Sequence, residues 1–162
     1  MKTRPVRAYL DANVLIAYVA NENGRAGIVQ SVLDDARDEK IELFTSVLSI
    51  TEVAFVTTGQ PDDPAGGEDA IDQLWVPASP IHVLDISIRI AREARAIIRK
   101  SKSLGTKTVK PADAIHLASA SIHDCDRVFT YENQATRHSW AELISLTVAE
   151  PFLDEPRLDV SG

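Results

Sequence analysis

The chain alternates between short apolar runs and longer segments in which apolar residues recur at helical spacing. Runs typical of strands occur at 6–10, 41–45, 81–86, 127–131 and 143–148. Helical spacing occurs at 26–39, 46–58, 86–100 and 110–122, where apolar residues return every three or four positions. Strands that alternate with helices imply parallel crossovers, so the pattern predicts an α/β fold with a sheet of about five strands.

Two stretches depart from this pattern. Residues 58–69 are rich in Gly, Pro and Asp, which predicts a mobile loop leading to a short helix around Ala70 to Trp75. Residues 151–162 follow the last predicted strand and are expected to pack loosely or not at all. We therefore predict one domain over 1–150 and a C-terminal tail over 151–162.

Composition narrows the class of protein. The 162 residues are 44% hydrophobic, enough for a real core, and Cys125 is the single cysteine, so no internal disulfide can form and a reducing compartment is expected. Asp11 and Asn13 interrupt the apolar stretch near the N-terminus, which argues against a signal peptide. Apolar runs long enough to span a membrane do not occur. We expect a soluble cytoplasmic protein with no membrane partner.

The formal net charge of −7 argues against a surface built for non-specific nucleic-acid binding. It leaves room for a local basic patch and for acids that hold a metal ion.

The segment 110–122, "KPADAIHLASASI", is apolar or small nearly all round, which predicts a buried helix. Pro111 suits the first turn. Asp113 and His116 are exceptions. Asp113 can be explained by the helix dipole, which favours an acid in the first turn by about 0.3–1 kcal/mol, and His116 by packing in the core.

Three further acids make a purely structural explanation harder. Asp11 and Glu132 directly follow predicted strands, and ligands of open α/β sheets bind at that edge. Glu52 lies in an otherwise apolar helix. Two like charges about 4 Å apart repel by roughly 4 kcal/mol at an effective dielectric constant of 20, so a shared pocket requires protonation or a cation. Oxygen ligands of this kind match Mg²⁺ or Mn²⁺.

The blocks "YLDANVLIAYV", "TSVLSITEVAF", "KPADAIHLASA" and "VFTYE" follow one another in this order. The ordered set resembles the acidic blocks of PIN-domain ribonucleases, especially the VapC-like toxins of bacterial and archaeal toxin–antitoxin pairs, from about residue 8 to 148. The resemblance implies a three-layer α/β/α fold and a metal-dependent endoribonuclease that cleaves RNA phosphodiester bonds.

The resemblance also implies a role for each acid. Asp11 and Asp113 would be the main ligands of Mg²⁺ (or Mn²⁺), and Glu52 a third acid that binds the metal directly or through water. Glu132 occupies the fourth catalytic position, where the family more often has Asp, so its direct ligation is open. Polar groups behind the ligands would be Asn13, Thr130 and, as a packing or supporting residue, His116.

Four lysines cluster just before the acidic helix: Lys100, Lys102, Lys107 and Lys110. They could hold the RNA backbone beside the metal, and Lys107 and Lys110 are the candidates nearest the acids. A solvated loop is the alternative explanation.

Two other functions compete with the nuclease. A phospho-acceptor signalling module would use Asp85 with Thr130, but such modules need a lysine after the last strand, and "LISLTVAEP" has none. A non-catalytic PIN-like scaffold that binds RNA or protein is the stronger rival. The family resemblance further implies a cognate antitoxin and a homodimer, for which Phe55, Trp75 and Val76 offer apolar surface.

Overall fold

The structure is a computed structural model that describes residues 3–55 and 66–154. Within these residues the strands are β1 (Val6–Leu10), β2 (Ile41–Ser46), β3 (Ile81–Leu84), β4 (Arg127–Phe129) and β5 (Thr147–Ala149). The helices are α1 (Ala12–Val19), α2 (Ala26–Arg37), α3 (Leu48–Glu52), α4 (Gly66–Asp72), α5 (Ile88–Ser103), α6 (Pro111–Ile122) and α7 (Gln134–Ile144). A 3₁₀ turn, Val53–Phe55, follows α3.

All neighbouring strands pair in parallel, in the order β3-β2-β1-β4-β5. β1 lies at the centre, with Tyr9 opposite Phe44 of β2 and Val128 of β4. The predicted α/β class and five-stranded parallel sheet are confirmed. Because the strands are parallel, their carboxyl ends meet at one edge, where Asp11 leaves β1.

Side chains of β1 alternate between two cores, as the period of a strand requires. Ala8 and Leu10 pack with residues of α1, α2 and the end of α4 on one face. Tyr9 packs on the other face with residues of α5, α6 and α7. The sheet is therefore the middle of three layers, with helices on both sides.

Two helices were not predicted. Residues 12–19 are almost uniformly apolar, so they show no helical periodicity, yet they form α1. Residues 134–144 form α7, capped by the Asn133 side chain, which accepts a hydrogen bond from the Thr136 backbone N–H. The predicted strand 143–148 is consequently wrong in its bounds, since the chain turns at Ser145 with a φ of 55° and β5 begins at Thr147.

Other boundaries shift by a few residues. α3 ends at Glu52 and the predicted positions 56–58 of that helix lie outside the described residues. Most of the predicted loop, 58–65, also lies outside them, and α4 begins at Gly66, earlier than the short helix predicted around Ala70.

The described part of the predicted tail contacts the domain. Pro151 is buried, and the ring of Phe152 lies edge-on to that of Phe129, 5.3 Å between centroids. Asp154 pairs with Arg127 at 3.1 Å. Residues 155–162 of the tail are outside the described part of the chain. Among the helices of 3–55 and 66–154, none is long and apolar enough to cross a membrane.

Candidate metal centre

Asp11 is fixed at the carboxyl end of β1. Its backbone N–H donates to the Phe129 carbonyl at 3.0 Å, which ties it to β4. Its side chain caps α1, with Oδ1 accepting from the Ala12 backbone N–H at 2.8 Å. Oδ2 accepts a 2.8 Å hydrogen bond from the Thr130 hydroxyl. At 5% exposure, Asp11 is a buried carboxylate with a defined orientation.

Asn13 and Thr130 hold this arrangement together. Asn13 Nδ2 donates to Thr130 Oγ1 at 3.0 Å, and Asn13 Oδ1 accepts from the Tyr131 backbone N–H at 3.0 Å. The Glu132 backbone N–H also donates to Thr130 Oγ1, at 3.2 Å. The start of α1 is thereby joined to the segment that follows β4, and Asp11 and Glu132 share one support.

His116 lies between two acids. Its Nε2 is 2.8 Å from Glu52 Oε1 and 3.8 Å from Asp11 Oδ1. Its Nδ1 forms a 2.6 Å hydrogen bond with the hydroxyl of Tyr9, which is fully buried. Both ring nitrogens are thus occupied. The ligand atoms of Asp11, Glu52 and His116 all lie within 4.8 Å of one another.

Asp113 and Glu132 complete the acidic edge. Asp113 lies in the first turn of α6, one turn before His116, and is half-buried. Burial, and then the charges of Asp11 and Glu132, raise the pKa of Asp113 to about 6. The charges of the neighbouring acids thus make ionisation of Asp113 less favourable.

Burial also affects the pKa values of Asp11 and His116, two enclosed ionisable groups of the site. It raises the pKa of Asp11, although His116 and the hydrogen bond from Thr130 oppose the shift. Burial alone lowers the pKa of His116, but the hydrogen bond to Glu52 and the charge of Asp11 more than offset it and leave that pKa raised. The acids therefore make the cationic form of the imidazole more favourable than in a free histidine.

A groove with a volume of about 440 Å³ opens beside the acids, between the loop before α6 and one side of α7. Asp113 and Glu132 line it together with Lys107, Lys110 and Trp140. Both lysines are exposed. Lys100 does not join them, because its Nζ donates to the Leu143 carbonyl at the end of α7.

A comparison with protein-family models identifies the family of this chain. The model described as PIN domain matches residues 8–141. The chain belongs to the PIN domain family. The resemblance of the four acidic blocks is thereby confirmed, and the phospho-acceptor alternative is not supported, since Thr130 donates to Asp11 and not to Asp85.

Solved structures share the fold of this PIN domain at low sequence identity. FitAcB from Neisseria gonorrhoeae is 17% identical, with a TM-score of 0.64, over 89% of this chain and 97% of that one. VapBC2 from Rickettsia felis, bound to a DNA fragment of its promoter, is 11% identical, with a TM-score of 0.65, over 88% and 97%. DNA-bound VapBC from Salmonella typhimurium is 15% identical, with a TM-score of 0.64, over 91% and 99%. No curated protein matches the sequence.

Within this PIN domain, the predicted acids Asp11, Glu52, Asp113 and Glu132 lie at one edge of the sheet, and the predicted supporting residues lie behind them. Their roles remain predictions. His116 is more central than predicted, because it lies among the ligand atoms themselves.

Two supporting residues were not predicted. Tyr9 bonds to His116, and its signal in the sequence is a hydroxyl-bearing ring on a central strand next to apolar Ala8 and Leu10. Arg137 donates from Nη1 to the Glu132 carbonyl at 2.8 Å and so fixes the backbone of the fourth acid. The sequence gives no signal for this contact, because it depends on where α7 begins.

Proposed function

We propose that this PIN domain is a metal-dependent endoribonuclease, a hydrolase of RNA phosphodiester bonds, and the toxin of a toxin–antitoxin pair. The observation that carries the proposal is the buried Asp11 carboxylate, fixed by Thr130 and Ala12 and facing other acids at the sheet edge. An isolated buried carboxylate is costly, and several together are costlier still. A site of this composition favours a cation.

The chemistry of the donor set fits Mg²⁺ or Mn²⁺. Hard divalent ions take carboxylate oxygens, and Asp11, Glu52 and Asp113 supply them, with Glu132 beside Asp113. His116 is a poor candidate for a ligand of such an ion, because Glu52 and Tyr9 already occupy its nitrogens. We assign it the role of orienting Glu52, as partners of metal-binding carboxylates commonly do.

In the proposed mechanism, Asp11, Asp113 and Glu52 would hold the ion. When bound, it supplies polarisation of a phosphoryl oxygen and a lowered pKa for water. Thr130 and Asn13 keep Asp11 in place, and Arg137 keeps the backbone of Glu132 in place. We assign Glu132 the role of accepting a proton at its carboxylate. Lys107 and Lys110 would bind the RNA phosphates along the groove.

The partner is inferred from the solved structures. Those similar to this chain are named as VapBC, FitAB and FitAcB assemblies, which are complexes rather than single chains. We propose a cognate antitoxin protein for this chain by this likeness. We propose a homodimer from the resemblance to VapC-like toxins alone.

The test compares cleavage and metal binding in one set of variants. The full chain is incubated with single-stranded RNA and Mg²⁺ or Mn²⁺, and with chelator. We expect cleavage that requires the metal and is lost in Asp11→Asn and Asp113→Asn, by on the order of 10³-fold or more if the ion supplies most of the catalysis. Asp85→Asn is the matched control, since Asp85 is an exposed acid after β3. A fully active Asp113→Asn protein would exclude the assignment.

A non-catalytic scaffold gives a different result. Calorimetric titration with Mn²⁺ should show binding to wild type and Asp85→Asn, and much weaker binding to Asp113→Asn. RNA binding without cleavage, together with no Mn²⁺ binding, would favour the scaffold.

A further inference from the structure

The charges of the chain are divided unevenly along the sequence. Eight of the 17 Lys and Arg residues, but one of the 24 Asp and Glu residues, lie between 88 and 110. This segment, α5 with the loop after it, has a formal charge of +7, and the rest of the chain has −14. Such asymmetry within an acidic protein points to a local surface for an anionic partner.

Four of these cations lie on one side of α5. Arg92, Arg95, Arg99 and Lys102 are spaced three or four residues apart, which places them within about 80° of one another at 100° per residue. They are the basic stripe. Buried residues Ile90, Ala94, Ile97 and Ser101 lie on the opposite side of the helix. The stripe therefore faces away from the core.

The basic stripe is exposed, and its members form no ion pair with any acid of residues 3–55 and 69–154. Most arginines outside the segment are paired: Arg4, Arg7, Arg25, Arg37, Arg127 and Arg137 each contact a carboxylate. Among the described residues, the charges of the basic stripe are thus unpaired, whereas most arginines elsewhere are paired with acids.

The loop that lines the groove is fixed to the end of α5, where the stripe also ends. Thr106 Oγ1 donates to the Ser101 carbonyl at 3.0 Å, and the Val109 backbone N–H donates to Ser101 Oγ at 3.3 Å. These bonds fix the loop to the end of α5, and Lys107 and Lys110 of the same loop line the groove with Asp113. The cations of the stripe and those of the groove therefore lie on neighbouring segments of the chain, α5 and the loop bonded to its end.

We propose that the basic stripe binds the phosphate backbone of single-stranded RNA, outside the groove, and leads the strand to the acids. This rests on the proposed function, because it makes RNA the substrate. A row of unpaired cations suits a polyanion, whose binding releases counterions. A protein partner is less well matched, since protein interfaces have apolar and aromatic centres, and the outward positions between Arg92 and Lys102 carry no large apolar residue.

The test is a pair of double variants that change the charge equally. Arg95→Gln/Arg99→Gln removes the middle of the stripe, and Arg37→Gln/Lys40→Gln removes two exposed cations at the end of α2. A fluorescein-labelled single-stranded RNA of roughly 20 nucleotides is titrated with each protein in chelator, by anisotropy, over a range of salt. Thermal melting checks that both variants fold.

We expect Arg95→Gln/Arg99→Gln to bind roughly fivefold to tenfold more weakly, from about 0.5–0.7 kcal/mol for each exposed contact. The plot of log affinity against log salt should become shallower by about 1.4, at 0.7 for each lost phosphate contact. The Arg37→Gln/Lys40→Gln control should match wild type. With active protein, the stripe variant should raise KM on this RNA and leave kcat unchanged.

The proposal would be overturned if both double variants bound RNA equally weakly, or if wild type did not bind RNA. It would also be overturned if polyglutamate competed as strongly as unlabelled RNA, a result that would favour an acidic protein as the partner. Failure of the proposed function looks different. If wild type binds RNA through the stripe but does not cleave it with metal, the stripe assignment stands and the nuclease does not. If wild type cleaves RNA and the stripe variant keeps the wild-type KM, the nuclease assignment stands and the stripe assignment does not.

Discussion

Asp113 makes no hydrogen bond to another side chain of the described residues, unlike Asp11, which caps α1 and accepts from Thr130. Its carboxylate is half-buried beside other acids. The helix dipole that favours an acid in a first turn is worth about 0.3–1 kcal/mol, and here it acts against burial and repulsion. The first turn of α6 is therefore a costly place for a charge without a cation.

Replacing this carboxylate should stabilise the metal-free fold. We expect Asp113→Asn to raise the melting temperature in chelator, or leave it unchanged, because the amide removes the repulsion and keeps the shape. The melting temperature of Asp11→Asn should rise less, since the amide disturbs the hydrogen bond from Thr130. Differential scanning calorimetry of both variants with and without Mn²⁺ measures this, and a large loss of stability in Asp113→Asn would contradict it.

The raised pKa of Asp113 gives a signed pH dependence. The carboxyl of Asp113 has a pKa near 3.8 in the unfolded chain and about 6 in the folded protein. Its contribution to the free energy of unfolding is therefore fully present below pH 3.8 and is lost as the pH rises to about 6. His116 acts in the same direction, since its raised pKa favours the folded state at low pH and the gain is lost as the pH rises through its folded value.

We therefore expect the free energy of unfolding, wild type minus Asp113→Asn, to fall between about pH 4 and pH 6 in chelator. Urea unfolding at several pH values measures it. The difference removes the contributions of the carboxylates that do not interact with Asp113. A difference that is flat over this range would show that Asp113 is not perturbed.

At this scale the sequence predicted four candidate acids but not the side chains that support them. Asp11, Glu52, Asp113 and Glu132 could be named because acids are conspicuous in apolar blocks. The bond from Tyr9 to His116 depends on which face of β1 meets α6, and the bond from Arg137 to Glu132 depends on the turn into α7. Such contacts are tertiary and leave no local pattern.

The link between α1 and the segment after β4 is the element on which the candidate centre depends. Thr130 is fully buried and bonds to Asp11, Asn13 and the backbone of Glu132. One hydroxyl thus supports two of the four acids.

Thr130→Val keeps the shape and removes this hydroxyl. We expect a loss of about 1–3 kcal/mol in the free energy of unfolding, the cost of leaving buried polar groups unpaired, together with weaker Mn²⁺ binding. Thr51→Val is the control, because Thr51 is exposed and its hydroxyl donates only to the Leu48 carbonyl within α3. Equal stability of the two variants in urea would show that Thr130 does not support the acids.

Elements with clear periodicity were predictable, and elements without it were not. The segment 110–122 became α6 almost residue for residue, because Pro111 marks its start. α1 was missed because apolar residues cover it on all sides, and α7 because its polar first half, "QATRHS", resembles a loop. Burial of α1 against the sheet, rather than local preference, decides its structure.

At the scale of the whole molecule, the family likeness predicts a homodimer. Of the apolar candidates, Val76 is exposed at 36%, whereas Trp75 packs against the core beside α1 and α2, and the Phe55 side chain lies outside the described residues. We expect light scattering at micromolar concentration to give twice 17.7 kDa, and Val76→Glu to weaken the dimer. A mass of one chain under these conditions would contradict the prediction.

An antitoxin that inhibits the proposed nuclease is expected to insert an Arg or Lys among the acids. Arg suits this place, since it pairs with carboxylates through two parallel hydrogen bonds. Asp11→Asn/Asp113→Asn should weaken antitoxin binding at least roughly tenfold, because hydrogen bonds to charged groups contribute about 1.5–3 kcal/mol. Mn²⁺ should compete with the antitoxin.

Affinity should also fall as salt rises, though less than for an exposed pair, because the acids are partly buried. Calorimetry with wild type and the double variant tests both effects. Equal binding at low and high salt, with no competition from Mn²⁺, would place the antitoxin elsewhere.

The central position of β1 has a consequence for synthesis. β1 is made first, but its two neighbours are β2 and β4, and β4 begins at Arg127. Ribosomes add about 5–20 residues per second, so for several seconds the growing chain has Asp11 without Phe129, Thr130 or Glu132 beside it. A nascent chain cannot assemble the acidic edge until Glu132, which follows β4, has left the ribosome. The proposed nuclease would thus lack its acidic edge, and be inert toward the messenger that encodes it, until the segment after β4 has been made.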